Sequence, residues 1–187
     1  MIVSLGGVRG IKPIDVYWNI SNPIFSGPNP VIEVNKDNHP WEYDQVNIIC
    51  PSGENTAEKH IIYSVDKDEF DSCRILNPKP RIIAVCDQPQ NFMYFTITFR
   101  SFSPSPMQME FKPGQIYYFI STSSARDIHR RVGGFCSSKN MKMTFRYNFN
   151  FTNYRDSLNL SIHSKPKGRC EQQFLRIAAG GIFYLGC

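Results

Sequence analysis

Tyr94-Phe95-Thr96-Ile97-Thr98-Phe99 is the stretch that decides the class of fold. Phe95, Ile97 and Phe99 fall on one side of an extended chain and Thr96 and Thr98 on the other, the period of two expected when one face of a strand is buried. The same alternation sets Met141, Met143, Phe145, Tyr147 and Phe149 against Lys142, Thr144 and Arg146. Outward from these, shorter β-like runs stand at Ile14–Trp18, Val31–Val34, Val46–Cys50, His60–Val65, Arg81–Val85 and Gln115–Ser121, separated by Pro, Gly and Asn clusters. Counting Tyr94–Phe99 and Lys142–Asn148, that makes eight candidate strands, the signature of an all-β sandwich or barrel. Asp66-Lys67-Asp68-Glu69-Phe70-Asp71 differs, because acidic residues favour the start of a helix; it predicts one short helical turn or two. Gly133-Gly134 reads as a turn before a cysteine rather than as a helix start. From about Asn153 the pattern gives way to polar and basic residues, including His163-Ser164-Lys165-Pro166-Lys167-Gly168-Arg169, which reads as a stalk. The expected organisation is an extension over 1–13, one domain over 14–150 and a tail over 151–187.

The bulk numbers suit this reading. At 187 residues the chain can bury a substantial core. Aromatics make up 13%, and with the β-branched residues they favour pleated, half-buried surfaces. A net charge of +5 is mild and does not call for nucleic acid. Six cysteines, at 50, 73, 86, 136, 170 and 187, include no C-x-x-C pair of the kind that holds zinc. Scattered and even in number, they fit a disulfide framework in an oxidising compartment, although spacing alone leaves their pairing open. N-x-[ST] sequons at Asn19, Asn150 and Asn159 also point to an extracellular address. No run of about 20 apolar residues is present to span a bilayer.

The side chains that carry chemistry do not assemble into a pattern. His39, His60, His129 and His163 share no metal-ligand spacing and read as surface or capping residues. There is no G-x-S-x-G elbow and no Gly-rich phosphate loop. A blue-copper site needs two histidines, a cysteine and a weak axial ligand. Cys136 and Met141 imitate part of that spacing, but no histidine lies between them. The expectation is a binding domain without cofactor or metal, not an enzyme.

Several segments, taken in order, resemble the receptor-binding ectodomain of the ephrins, as a divergent, invertebrate-type member. Trp18-Asn19-Ile20-Ser21-Asn22-Pro23 is similar to the family's opening segment with its sequon, and Asn47-Ile48-Ile49-Cys50-Pro51 to one of its strands. Val65-Asp66-Lys67-Asp68 with Cys73, Phe95–Phe99 leading into Phe102-Ser103-Pro104, Glu110-Phe111, Tyr117–Ser123 and Gly133-Gly134-Phe135-Cys136 complete the likeness over about residues 16 to 149. The resemblance implies an eight-stranded Greek-key β-barrel or sandwich, cupredoxin-like but without copper, with one or two short helices. It also implies the disulfides Cys50–Cys86 and Cys73–Cys136. The implied role is that of a cell-surface ligand for an Eph receptor tyrosine kinase ectodomain in contact-dependent guidance or cell sorting. Attachment to the membrane, expected as a glycolipid anchor, would lie outside this sequence.

In the ephrins the loop corresponding to residues 100–112 inserts into a channel on the receptor. Here it comprises Phe102, Ser103, Pro104, Ser105, Pro106, Met107, Gln108, Met109 and Glu110. Pro104 and Pro106 stiffen it, which lowers the ordering cost on binding. Phe102, Met107 and Met109 supply apolar anchors, and Phe102 and Met109 are the pair expected to face inward. At the tip the chain departs from its relatives, with Pro106-Met107 where many carry leucine and an aromatic, and Gln108 where glycine is common. A second candidate surface is the basic stretch Arg126-Asp127-Ile128-His129-Arg130-Arg131-Val132, which could meet a heparan-type glycan or another co-receptor.

Overall fold

The period-two segments become the two facing sheets of a β-sandwich in a computed structural model of the chain, which describes residues 12–39, 42–53, 57–105 and 108–148 together with 175–176 and 182–183. Eight strands form the body: β1 (Ile14–Tyr17), β2 (Val31–Val34), β3 (Gln45–Ile49), β4 (His60–Val65), β5 (Arg81–Cys86), β6 (Tyr94–Thr98), β7 (Ile116–Ile120) and β8 (Lys142–Tyr147). One sheet has the order β1-β3-β6 and the other β2-β8-β7-β4-β5. β1 runs parallel to β3 and β2 parallel to β8, while the other pairs are antiparallel. β5 and β6 do not join, so the two sheets stay separate; of barrel and sandwich, the chain adopts the sandwich, cupredoxin-like in type.

Alternation decides which side chains meet between the sheets. Val46 and Ile48 of β3, Ile97 of β6, Phe119 of β7 and Met143 and Phe145 of β8 all point into the main core. Phe99, Phe119 and Phe145 form a chain of ring contacts there, with centroids 5.2 Å and 5.0 Å apart. A second core lies on the other face of the larger sheet, where Ile61, Tyr63 and Ile120 meet Phe70, Cys73, Ile75 and Cys136.

Two helices help to cover that second core. α1 (Lys67–Ser72) forms where the acidic run predicts it. The Asp66 side chain accepts from the Glu69 amide at 2.8 Å, and Glu69 returns a bond to the Asp66 amide, completing a capping box. α2 (Gly134–Lys139) corrects the reading of Gly133-Gly134 as a mere turn, since this pair starts a helix. It has no side-chain cap, which is why the usual start signal is absent. A Cβ on Gly134 would lie 1.9 Å from the Thr122 carbonyl oxygen, and its φ is +57°. Glycine lets the helix press directly on the 121–123 backbone, where Phe135 N donates to Ser123 O at 2.8 Å.

The disulfides pair as the resemblance implies. Cys50–Cys86 ties β3 to β5 with Cα atoms 5.4 Å apart, and Cys73–Cys136 ties the end of α1 to α2 at 5.7 Å. The chain divides into two compact units, Met1–Tyr154 and Arg155–Cys187. Within the second, read from sequence as a plain stalk, β9 (Leu175–Arg176) pairs antiparallel with β10 (Ile182–Phe183). Asn150, Asn159, Cys170 and Cys187 lie outside the described residues.

Candidate functional site

The loop after β6 has a rigid base. Phe99 and Phe111 are buried with ring centroids 4.5 Å apart, and Phe111 N donates to Arg100 O at 2.9 Å, so the two ends of the loop are clamped side by side. A polar knot braces the clamp from below. Asn35 and Asp44 exchange side-chain and backbone bonds at 2.6 and 2.7 Å, and Asn35 Nδ2 donates to Phe99 O at 2.7 Å. Asn35 adopts φ 55°, a left-handed turn that asparagine tolerates. Sequence reading missed this knot; the one signal for it was the turn-forming run Asn35-Lys36-Asp37-Asn38.

Above the base, polar groups determine which side chains turn in. Ser103 is buried, and its hydroxyl lies 3.1 Å from an Arg100 guanidinium nitrogen and 2.9 Å from Gln108 Oε1. Its amide donates to Glu110 Oε1 at 3.2 Å, and Ser105 N donates back to Ser103 Oγ at 3.3 Å. With Ser103 drawn inward, Phe102 is forced out and stands 75% exposed. The expectation that Phe102 and Met109 both face inward is therefore half corrected: Met109 packs on the core and Phe102 faces solvent. Pro104, Gln108 and Glu110 are exposed and Ser105 is half-buried, while Pro106 and Met107 lie outside the described residues. Met109 and Phe111 also line a small cavity of about 130 Å³ with Ile97 of β6 and the β5 residues Arg81, Ile82 and Ile83, in the seam between the sheets.

The basic stretch 126–132 is fastened down rather than loose. Thr122 Oγ1 donates to Arg130 O at 2.6 Å and Ser123 Oγ to Ile128 O at 2.7 Å. Arg130 Nε donates to Val132 O, and the Arg131 guanidinium donates to the carbonyls of Ile75 and Asn77. The two arginines thus hold backbone together at least as much as they present charge. His60 corrects the view of the histidines as surface residues. It is fully buried, between Ser121 Oγ at 3.0 Å and Glu58 Oε1 at 2.6 Å. Every residue from His60 to Tyr63 is buried because β4 is covered on both faces, so no alternation marks the histidine as internal. Among the described residues no three His, Cys, Asp or Glu side chains group as a metal site. No helix of the described residues is long and apolar enough to cross a membrane.

This combination of sandwich, disulfides and clamped loop can be set beside known proteins. The family model for Ephrin matches residues 11–147. The chain belongs to the ephrin family. Ephrin-B1 of Xenopus laevis is 35% identical over 143 residues, covering 74% of this chain and 41% of that protein. Ephrin-4 of Caenorhabditis elegans is 26% identical over 162 residues, covering 70% and 44% respectively. Among solved structures, a chain from the crystal structure of the human ephrin A2–ephrin A1 complex superposes with a TM-score of 0.57 at 25% identity, covering 73% of this chain and 98% of that one. The chain spans about two fifths of the length of the ephrin-B1 proteins it matches. The family's domain accounts for residues 11–147 of the chain.

Proposed function

We propose that this ephrin domain binds the ectodomain of an Eph receptor tyrosine kinase through the loop from Phe102 to Glu110, signalling contact-dependent guidance or cell sorting. The observation that carries the reading is an exposed phenylalanine, Phe102, on a loop whose base is locked by Phe99 and Phe111 and whose next turn is held by the hydrogen bonds of Ser103. A side chain presented on a preorganised support loses little entropy on docking, and a large aromatic makes an effective anchor. The chain works on this reading as a ligand, not an enzyme, at the cell surface and held by a lipid anchor.

The test is direct binding of the secreted chain to a panel of immobilised Eph ectodomains, with Met107→Asp, which places a charge among the apolar residues of the loop, as the variant. Binding by the parent that Met107→Asp weakens at least tenfold supports the assignment. Equal binding by the variant would remove the loop from the interface, and no binding to any receptor would remove the partner. Retention on heparin that is lost on charge reversal at Arg130 and Arg131, and that falls steeply with salt, would point instead to a sulfated glycan on the 126–132 stretch.

A further inference from the structure

The seam between the two sheets leaves two strand edges open toward each other. Among the described residues β5 pairs with β4 alone and β6 with β3 alone. Yet Arg81, Ile82 and Ile83 of β5 line the same cavity as Thr96 and Ile97 of β6. The ladders show which backbone groups face it. Cys50 N donates to Met93 O and Phe99 N to Asp44 O, both at 3.0 Å, so the bonds to β3 fall on Met93, Phe95, Ile97 and Phe99. An antiparallel ladder alternates, and Thr96 therefore turns its N–H and C=O to the open edge. On the facing strand the same reasoning starts from Ser121 N, which donates to Met141 O at 3.0 Å. Ile120 then bonds to Tyr63 of β4, and Tyr63 turns its own groups away from β5. Ile82, opposite Tyr63, thus directs its N–H and C=O away from β4. Both residues present a donor and an acceptor that no strand pairs among the described residues.

The cavity between these edges has an apolar floor and a basic rim. Ile97 and Phe111 are buried, and Ile83 and Met109 pack on the same core. Arg81 stands exposed on the rim with no ion pair among the described residues, and no carboxylate lines the cavity. Arg100 adds to the positive charge, since its guanidinium holds Gln108, another lining residue, at 2.5 Å. An unpaired edge is a template for a further strand, whose side chains alternate between its two faces. One such side chain would enter the cavity, and a volume of about 130 Å³ suits a single aliphatic group. The residues two before it and two after it share its face and meet the rim.

We infer that the seam binds an extended peptide segment of a partner protein with the pattern acidic–x–aliphatic–x–acidic. The segment lies along β6 as an added strand, exchanging backbone bonds with Thr96 on one side and reaching Ile82 on the other. Its aliphatic side chain fills the cavity over Ile97 and Phe111, and an acidic residue faces Arg81. Backbone pairing supplies the affinity, while the cavity and the basic rim select the sequence. Phe102 takes no part, because it does not line the cavity and stands in solvent. The inference therefore holds or fails apart from the receptor reading.

The probe is the blocked peptide acetyl-Asp-Thr-Leu-Thr-Asp-amide, added to the full, secreted, isotope-labelled chain and followed by amide spectra and hydrogen exchange. One control peptide is N-methylated on Thr-Leu-Thr, which removes its donors, and another carries Lys in place of both Asp. The Asp peptide is expected to bind with a Kd below about 1 mM. At saturation it slows exchange of the Thr96 and Ile82 amides by about tenfold or more, and its leucine methyls show cross-peaks to Ile97 and Phe111. Both controls bind about fivefold more weakly or worse, and Arg81→Glu reverses the preference between the Asp and Lys peptides. Equal binding of the three peptides, unchanged exchange at Thr96, or no binding of the Asp peptide at about 1 mM would each overturn the inference. A Thr96 amide that slows with rising chain concentration in the absence of peptide would place a second copy in the seam, and would overturn it as well.

Discussion

Replacing Phe102 by alanine separates what the loop is for from what holds it in place. A phenylalanine can withdraw about 200 Å² from water. With Phe102 already 75% exposed, about 150 Å² is available to a partner, roughly 4 kcal/mol at ~25 cal/mol per Å². Immobilising the ring and imperfect fit offset about 1 kcal/mol or more of that, leaving an expected loss of about 2–3 kcal/mol, a 30- to 150-fold rise in Kd. Stability should scarcely change, because an exposed side chain away from caps and cores contributes within about 0.5 kcal/mol. Phe111→Ala is the contrasting variant, since its ring is buried against Phe99 and Tyr117; its removal should cost about 3–5 kcal/mol of folding stability. Calorimetric titration against the bound receptor ectodomain and thermal melts of both variants measure the two quantities separately. A Phe102→Ala chain that binds as the parent does, or that melts as low as Phe111→Ala, would refute the division of labour argued from the loop.

Gly134→Ala should cost about 3 kcal/mol or more, above the ~1–2 kcal/mol of left-handed strain alone, because the new Cβ meets two backbone carbonyls; denaturant melts would show it. Cys73→Ser with Cys136→Ser opens a bridge spanning 63 residues, worth about 4 kcal/mol on the chain-entropy account. Hydrogen exchange should then rise first in α1 and 124–132, while β3 and β6 keep their protection. Burial raises the phenol pKa of both Tyr63 and Tyr147 above 10.0, although Arg131 beside Tyr63 and side-chain bonds from Ser101 and Asn35 to Tyr147 oppose it. The folded chain therefore holds these protons more tightly than the unfolded one. Stability is complete below about pH 10, and falls as pH rises from there through the higher folded values. Melts from pH 8 to 11 with Tyr147→Phe should show a smaller alkaline loss in the variant.

The strands were legible because the main core is built by alternation: Phe95 and Ile97 in β6 and Met143 and Phe145 in β8 announce their faces at a period of two. α1 was legible through Asp66, whose side chain caps the helix it precedes. What escaped depended on partners far away in sequence. Gly133-Gly134 looked like any turn, because the carbonyls of Thr122 and Ser123 that require glycine there are tertiary neighbours. Phe102 looked like an inward anchor because nothing in the local sequence shows Arg100 and Gln108 converging on Ser103. That Tyr17 and Tyr94 flank Ile49 is visible only once register places β1 and β6 on either side of β3. The disulfide pairing, too, came from resemblance and not from spacing.

The ladder between β7 and β8 has a mechanical consequence. Ile116, just after the loop, lies opposite Arg146, just before the chain leaves the sheet, and the bonds Gly114 N to Tyr147 O and Tyr147 N to Gln115 O close that end. The loop and the exit of the chain thus sit at the same end of one strand pair. A pull applied between a gripped loop and the segment beyond Asn148 would load these end bonds together with Asn148 N to Val34 O, which ties the same end of β8 to β2. The load is then shared by the ladders on both sides of β8, with both disulfides initially outside its path.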